Sequence, residues 1–156
     1  MPGPGSRPAA SFVSKAHEMG TITRATDDTA AAQGATAASA GPALHATIAR
    51  WRAVDVEVSA VIGQRGCAAV LRRTLVMTRR THGWMHEPSD EAGFEACVLA
   101  LGDALAGQAS EESMAGNHAL EAAFHDLLSS LVGGALATQL LRASRESLQS
   151  RIERVP

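Results

Sequence analysis

The sequence predicts an all-α fold, a four- to five-helix antiparallel bundle over residues 42–156. Apolar residues recur at three- and four-residue spacing in five segments, and no window alternates polar and apolar residues beyond a few positions. Short connections between the segments favour antiparallel neighbours. With 156 residues, 46% of them hydrophobic, the chain can form one domain with a substantial core.

Residues 1–41 are predicted to form a disordered leader, rich in alanine, glycine, serine and proline. Few large apolar side chains occur there, so little burial would offset the entropy lost on ordering. The leader lacks the apolar stretch of a signal peptide, and no segment of the chain approaches the roughly 18 apolar residues of a membrane span. We therefore expect a cytoplasmic protein without membrane contact.

The first two helices are predicted on either side of a glycine break. Pro42 suits a first helical turn, and the apolar stripe that follows predicts a helix over residues 43–62. Gly63 and Gly66 interrupt the stripe, and a second helix is expected over residues 66–82.

Three more helices follow in the second half of the chain. Ser89 and Ser110 are suitable N-cap residues for two of them, and the Gly133-Gly134 pair separates the last two. No internal repeat of a length typical of a solenoid is evident. The predicted spans are residues 89–106, 111–131 with Ser110 as the cap, and 135–152.

Charge is strongly segregated although the net charge is only -2. Residues 42–82 carry seven arginines against two acidic residues, whereas residues 81–141 carry nine acidic residues and no lysine or arginine. A seven-residue step places five arginines on one face of the second helix. We expect the stripe to be a solvated face or, more specifically, to be neutralised by the acidic third and fourth helices; recognition of an acidic partner is the alternative. Nucleic acid is not expected, because the domain is acidic and has few aromatic residues for stacking. The stripe comprises Arg65, Arg72, Arg73, Arg79 and Arg80.

The positions of Trp84 and Asp55 in the sequence predict structural contacts for both side chains. Trp84 lies in the loop after the second helix and is expected to plug one end of the bundle; if exposed, it would be a suitable interaction hot spot. Asp55 lies on the apolar face of the first helix, where an ionised carboxylate requires a partner. The sequence predicts that an arginine of the second helix pairs with it.

No catalytic or metal-binding constellation is predicted. His82 and His86 are four residues apart, but no carboxylate completes a helical zinc motif around them. Cys67 and Cys97 are expected to be packed thiols within helices. No cofactor is expected, because the chain lacks a phosphate-binding loop and a nucleophile elbow.

The segment His118-Ala119-Leu120 resembles the start of the H-x-L-K-G signature of histidine phosphotransfer domains, which are helical bundles. Glu121 and Ala122 stand where that family has lysine and glycine. The resemblance implies that His118 would be a phosphoacceptor.

Without a catalytic constellation, the sequence predicts a non-enzymatic helical protein–protein interaction module, such as a small bacterial-type regulatory or adaptor protein. It would bind a protein partner or a second copy of itself. The alternatives are a phosphotransfer-like signalling domain that uses His118, and a small-molecule-binding bundle. The residues expected to contact a partner are Arg65, Arg72, Arg73, Arg79, Arg80 and Trp84.

Overall fold

The computed structural model describes the backbone of residues 19–156 and the side chains of residues 41–156. Within that part of the chain there are four α-helices and no strand, so the predicted all-α bundle is confirmed. Of the predicted disordered leader, residues 1–18 lie outside the described residues, whereas the backbone of residues 19–41 is helical and belongs to the first helix. The helices are α1 (Met19–Thr78), α2 (Phe94–Ala106), α3 (Ser110–Val132) and α4 (Gly134–Glu153).

Gly63 divides α1 into two arms, as the sequence predicted. Its backbone angles, φ 78° and ψ 158°, are not helical, and they belong to a region that only glycine enters readily. We call residues 41–62 the first arm and residues 64–78 the second arm. Gly133, with φ 90° and ψ 145°, makes the corresponding break between α3 and α4.

Three predicted helix starts are wrong. Pro42 lies inside α1 rather than in a first turn. The helix predicted from Ser89 begins instead at Phe94 with Gly93 as its N-cap, because the preceding residues form a turn in which the Ala92 N–H donates to the Ser89 carbonyl at 3.0 Å. Ser110 is the first residue of α3 rather than its cap.

The predicted helix ends agree better with the structure than the predicted starts do. The second arm stops at Thr78, four residues before the predicted end, and continues as turns in which the His82 N–H still reaches the Thr78 carbonyl. The ends of α3 and α4 fall within one residue of the prediction.

One hydrophobic core joins both arms of α1 to the other three helices. At its centre Trp51 and Phe124 pack edge to face, with ring centroids 5.4 Å apart. Aromatic pairs in this arrangement contribute beyond the area they bury. Among the described residues, no helix is both long and apolar enough to cross a membrane.

Candidate functional site

An open groove of about 570 Å³ lies between the first arm, α3 and α4. We call it the α3–α4 groove. The apolar residues that line it are Trp51, Val54, Phe124 and Leu141, of which the first three are buried and Leu141 is half-buried. Its volume is within the range of protein pockets that bind small molecules or peptide side chains. The polar and small residues that line it are Arg50, His118, Glu121, Ala122, His125, Asp126, Thr138, Arg142, Ser144 and Arg145.

One wall of the groove is fixed by a chain of polar contacts. The indole N–H of Trp51 donates to Asn117 Oδ1 at 3.1 Å, and the Asn117 amide donates to Glu121 at 3.0 Å. Glu121 also pairs with Arg50 at 2.8 Å. Because every side chain in this series of contacts has a partner, Trp51 is held in one orientation and the groove wall between the first arm and α3 is well defined.

The opposite wall carries charges with fewer partners. His125 Nε2 lies 3.2 Å from the Thr138 hydroxyl, which links α3 to α4. Among residues 41–156, Arg142 pairs only with Glu146 on its own helix, at 3.5 Å, and both side chains are exposed. Arg145 makes no ion pair with any described residue. This wall therefore presents two exposed guanidinium groups, those of Arg142 and Arg145, to the groove.

The arginine stripe is not neutralised by the acidic helices, so that prediction is wrong. Arg72 donates to the Ala92 carbonyl at 2.5 Å, and Arg79 pairs with Glu87; both partners lie in the connection before α2. The second arm packs beside this connection, so Arg72 and Arg79 bind there. Within residues 41–156, the acidic residues of α2 and α3 that pair with arginines do so with arginines of the first arm. The other three arginines, Arg65, Arg73 and Arg80, are exposed and form no ion pair with a described residue.

The stripe therefore separates into structural and free arginines, which a pair of double variants can distinguish. We expect Arg72→Glu with Arg79→Glu to lower the free energy of unfolding by about 1–2 kcal/mol, because a charged hydrogen bond and an exposed ion pair are lost. The matched control, Arg73→Glu with Arg80→Glu, should leave it unchanged. Thermal melts of both variants beside the wild type measure this, and equal effects would contradict it.

The arginines that do pair with α2 and α3 were not predicted from the sequence. Arg52 pairs with Glu95 of α2, and this hydrogen-bonded pair lowers the pKa of the Glu95 carboxyl. Arg50 pairs with Glu121 of α3. Arg50 and Arg52 lie on the first arm and do not belong to the arginine stripe. Their spacing in the sequence gives no indication that they form ion pairs.

Trp84 packs at the end of the bundle, as expected, rather than standing free. Its indole N–H donates to Glu112 Oε1 at 3.0 Å, and its ring lies against Gly116, where a Cβ would stand 2.8 Å from Trp84 Cη2. His82 Nδ1 is 3.2 Å from the same Glu112 oxygen. The half-buried ring therefore contacts other parts of the domain, and its role as a partner contact stays a prediction.

This cluster gives the domain a pH-dependent contact. The hydrogen bond from Trp84, and then the one with His82, lower the pKa of the Glu112 carboxyl. A carboxyl whose pKa is depressed in the folded state stabilises the fold above its unfolded pKa, and this stabilisation is lost as pH falls through the folded pKa. We therefore expect Glu112→Gln to lower Tm near neutral pH and to have a smaller effect at about pH 3.

Circular dichroism melts at the two pH values measure the effect of Glu112→Gln. Glu111→Gln is the control, because Glu111 is exposed and its side chain makes no hydrogen bond with a described residue. A Tm difference between wild type and Glu112→Gln that stays constant with pH would contradict the assignment.

Asp55 does not pair with an arginine, contrary to the prediction. It forms no ion pair with a described residue, and its Oδ1 is buried without a hydrogen-bond partner. The Gly63 corner brings Cys67 beside it instead. Burial, reinforced by the Asp55 charge, raises the pKa of the Cys67 thiol well above its usual range. Cys67 is therefore a packed, protonated thiol rather than a nucleophile.

The remaining predicted groups are not assembled into a reactive site. His118 is exposed on α3 at the edge of the α3–α4 groove. Within residues 41–156, no three histidine, cysteine, aspartate or glutamate side chains are grouped so that they could hold a metal ion. A second cavity, of about 690 Å³, lies between Asp55, the second arm and residues 90–96.

The residues that line the groove are spread over nearly a hundred positions of the chain. No local pattern in the sequence therefore predicts the groove. Comparison with known proteins adds no assignment: no family model, no curated protein and no solved structure matches the chain.

Proposed function

We propose that this chain is a non-catalytic helical protein–protein interaction module, a small cytoplasmic regulatory or adaptor protein, which binds its partner at the α3–α4 groove. The observation that carries the proposal is the groove itself. It combines an apolar floor with exposed guanidinium groups from Arg142 and Arg145. Interfaces are typically built from an apolar centre, aromatic residues and arginine, with a polar rim.

The free arginines of the stripe are less suitable as the primary contact. Arg65, Arg73 and Arg80 are exposed, but isolated surface charges contribute little affinity and mainly affect association rate. The groove offers both buried apolar area and charge. We therefore place the main contact there and assign the stripe a secondary, steering role.

Site-specific photo-crosslinking tests the proposal. A benzoylphenylalanine at position 122, an exposed alanine on the groove wall, should crosslink to one defined protein in cells that express the chain. The same group at position 69, an exposed alanine outside the groove, should not. The proposal fails if position 122 captures nothing, and native mass spectrometry of the purified chain would then reveal whether a small molecule occupies the groove instead.

Phosphotransfer through His118 is the second candidate, and the exposure of this side chain is the observation that favours it. Glu121, one helical turn from His118, stands where phosphotransfer domains have lysine, so a carboxylate replaces the cation that would stabilise a phosphoryl group. A carboxylate disfavours a phosphoryl group by like-charge repulsion.

We accordingly expect acetyl phosphate, or a response regulator as donor, to leave the chain unlabelled. His118→Gln is the control, and acid lability of any label would identify a phosphoramidate. Acid-labile labelling of the wild type that is lost in His118→Gln would replace the interaction module with a phosphotransfer domain.

A further inference from the structure

The domain contains the same helical corner twice, 70 residues apart. Gly63 and Gly133 share one glycine-specific backbone conformation, with φ of 78° and 90° and ψ of 158° and 145°. Each joins two helical arms directly, without a loop. We call residues 41–78 the first corner and residues 111–148 the second corner.

Burial follows the same register in both corners. Thr74 and Ser144 are both buried, and each hydroxyl donates to a carbonyl of its own helix, at 2.7 and 2.8 Å. Four further pairs of positions separated by 70 residues are buried in both corners. These pairs are Val54 and Phe124, Val58 and Leu128, Cys67 and Ala137, and Val70 and Leu140.

The first corner holds a helix, α2, across its two arms. Glu95 pairs with Arg52 of the first arm, and a Cβ at Gly102 would lie 3.0 Å from Ile48 Cδ1. The residue before the N-cap of α2, Ala92, accepts a hydrogen bond from Arg72 of the second arm. On the second arm of the same corner, Ala68, Leu71 and Leu75 are all buried.

The second corner lacks such a cover among the described residues. The three contact positions Ile48, Arg52 and Arg72 and the three buried positions of the second arm have six counterparts on the second corner, and none of these counterparts is buried. All six line the α3–α4 groove. The groove is therefore the place on the second corner that α2 occupies on the first. The counterparts of Ile48, Arg52, Ala68, Leu71, Arg72 and Leu75 are His118, Ala122, Thr138, Leu141, Arg142 and Arg145.

We propose that the α3–α4 groove binds an amphipathic helix of a protein partner, seated as α2 is seated on the first corner. This inference rests on the proposed function and specifies its occupant. Arg142 would donate to a backbone carbonyl just before the bound helix, as Arg72 does to Ala92. The apolar stripe of the helix would cover Leu141 and Phe124.

The differences between the corners define the charge of the bound helix. Ala122 replaces Arg52, so a carboxylate at the position of Glu95 finds no partner. His118 replaces Ile48, whose Cδ1 an added Cβ at Gly102 would meet, and Arg145 adds a cationic side chain to the groove, so a carboxylate near the position of Gly102 is favoured instead. The occupant is thus an acidic amphipathic helix whose charge lies in its second half rather than its first turn.

A synthetic helix based on α2 tests this assignment on the full chain. The parent probe has the sequence of residues 89–107 with Cys97→Ala, and the adapted probe also carries Glu95→Ala and Gly102→Asp. Fluorescence anisotropy of the labelled adapted probe should show saturable binding to the wild-type chain. The parent probe should bind at least about tenfold more weakly, since its charge is wrong for this corner.

Blocking variants locate the bound probe. Ala122→Trp and Thr138→Trp each fill the groove from an exposed position, and either should weaken binding at least about tenfold, whereas the exposed control Ala69→Trp should not. Ala122→Arg restores the counterpart of Arg52 and should strengthen binding of the parent probe. Melting curves of all four variants verify that each is folded.

Three results would overturn the helical occupant. The first is no saturable binding of either probe, and the second is binding that the groove variants leave unchanged. The third is a dimer of the chain that Ala122→Trp abolishes, which would make a second copy the occupant. If position 122 still crosslinks to a partner while the probes fail, the proposed function stands and only the helical occupant is rejected; if both fail, both are rejected.

Discussion

Replacing Phe124 with alanine should lower the free energy of unfolding by about 3–5 kcal/mol, the largest single effect that we expect in this domain. Phe124 is 1% exposed, and its ring packs edge to face on Trp51. The substitution removes apolar burial and the aromatic contact, and it leaves a cavity that helices fixed by other contacts cannot close. Such a loss is a large part of the stability of an ordinary domain.

Chemical denaturation followed by Trp fluorescence measures the Phe124→Ala change. Phe124→Leu is the control, because it keeps most of the buried volume and should cost clearly less than alanine. A loss below about 1 kcal/mol for the alanine variant would mean that the core between the first arm and α3 is not packed as described.

Alanine at both glycine corners, Gly63→Ala with Gly133→Ala, should lower the free energy of unfolding by about 2–6 kcal/mol. Each glycine has a positive φ with an extended ψ, a conformation that costs an L-residue about 1–3 kcal/mol. Neither site has a heavy atom within 4 Å of an added Cβ, so the cost is backbone strain rather than a clash.

Gly134→Ala provides a matched control for the corner variants. Gly134 directly follows Gly133, begins α4, does not have a positive φ and also has open space around an added Cβ. Alanine there should be neutral or slightly stabilising, because it reduces the freedom of the unfolded chain. Equal melting temperatures for Gly133→Ala and Gly134→Ala would contradict the corner geometry.

Local patterns predicted the helices well but predicted their starts poorly. The apolar periodicity around Val58 and Leu128 follows directly from the need of each helix to bury one face. The start of α2 was missed because Ser89 is a good cap in isolation, whereas in the fold Arg72 binds the carbonyl of Ala92, the residue before the actual N-cap. Tertiary contacts decide such boundaries.

The all-α class and the breaks at Gly63 and Gly133 could be predicted from the sequence, because periodicity and glycine conformation act over a few residues. Which charges are paired and which surface is open depend instead on contacts between distant segments. Arg72 and Arg142 occupy equivalent positions, yet one is bound beneath the connection to α2 and the other lines an open groove. The accessibility of a side chain depends on whether a distant segment of the chain covers it. The spacing of residues within one helix therefore cannot predict it.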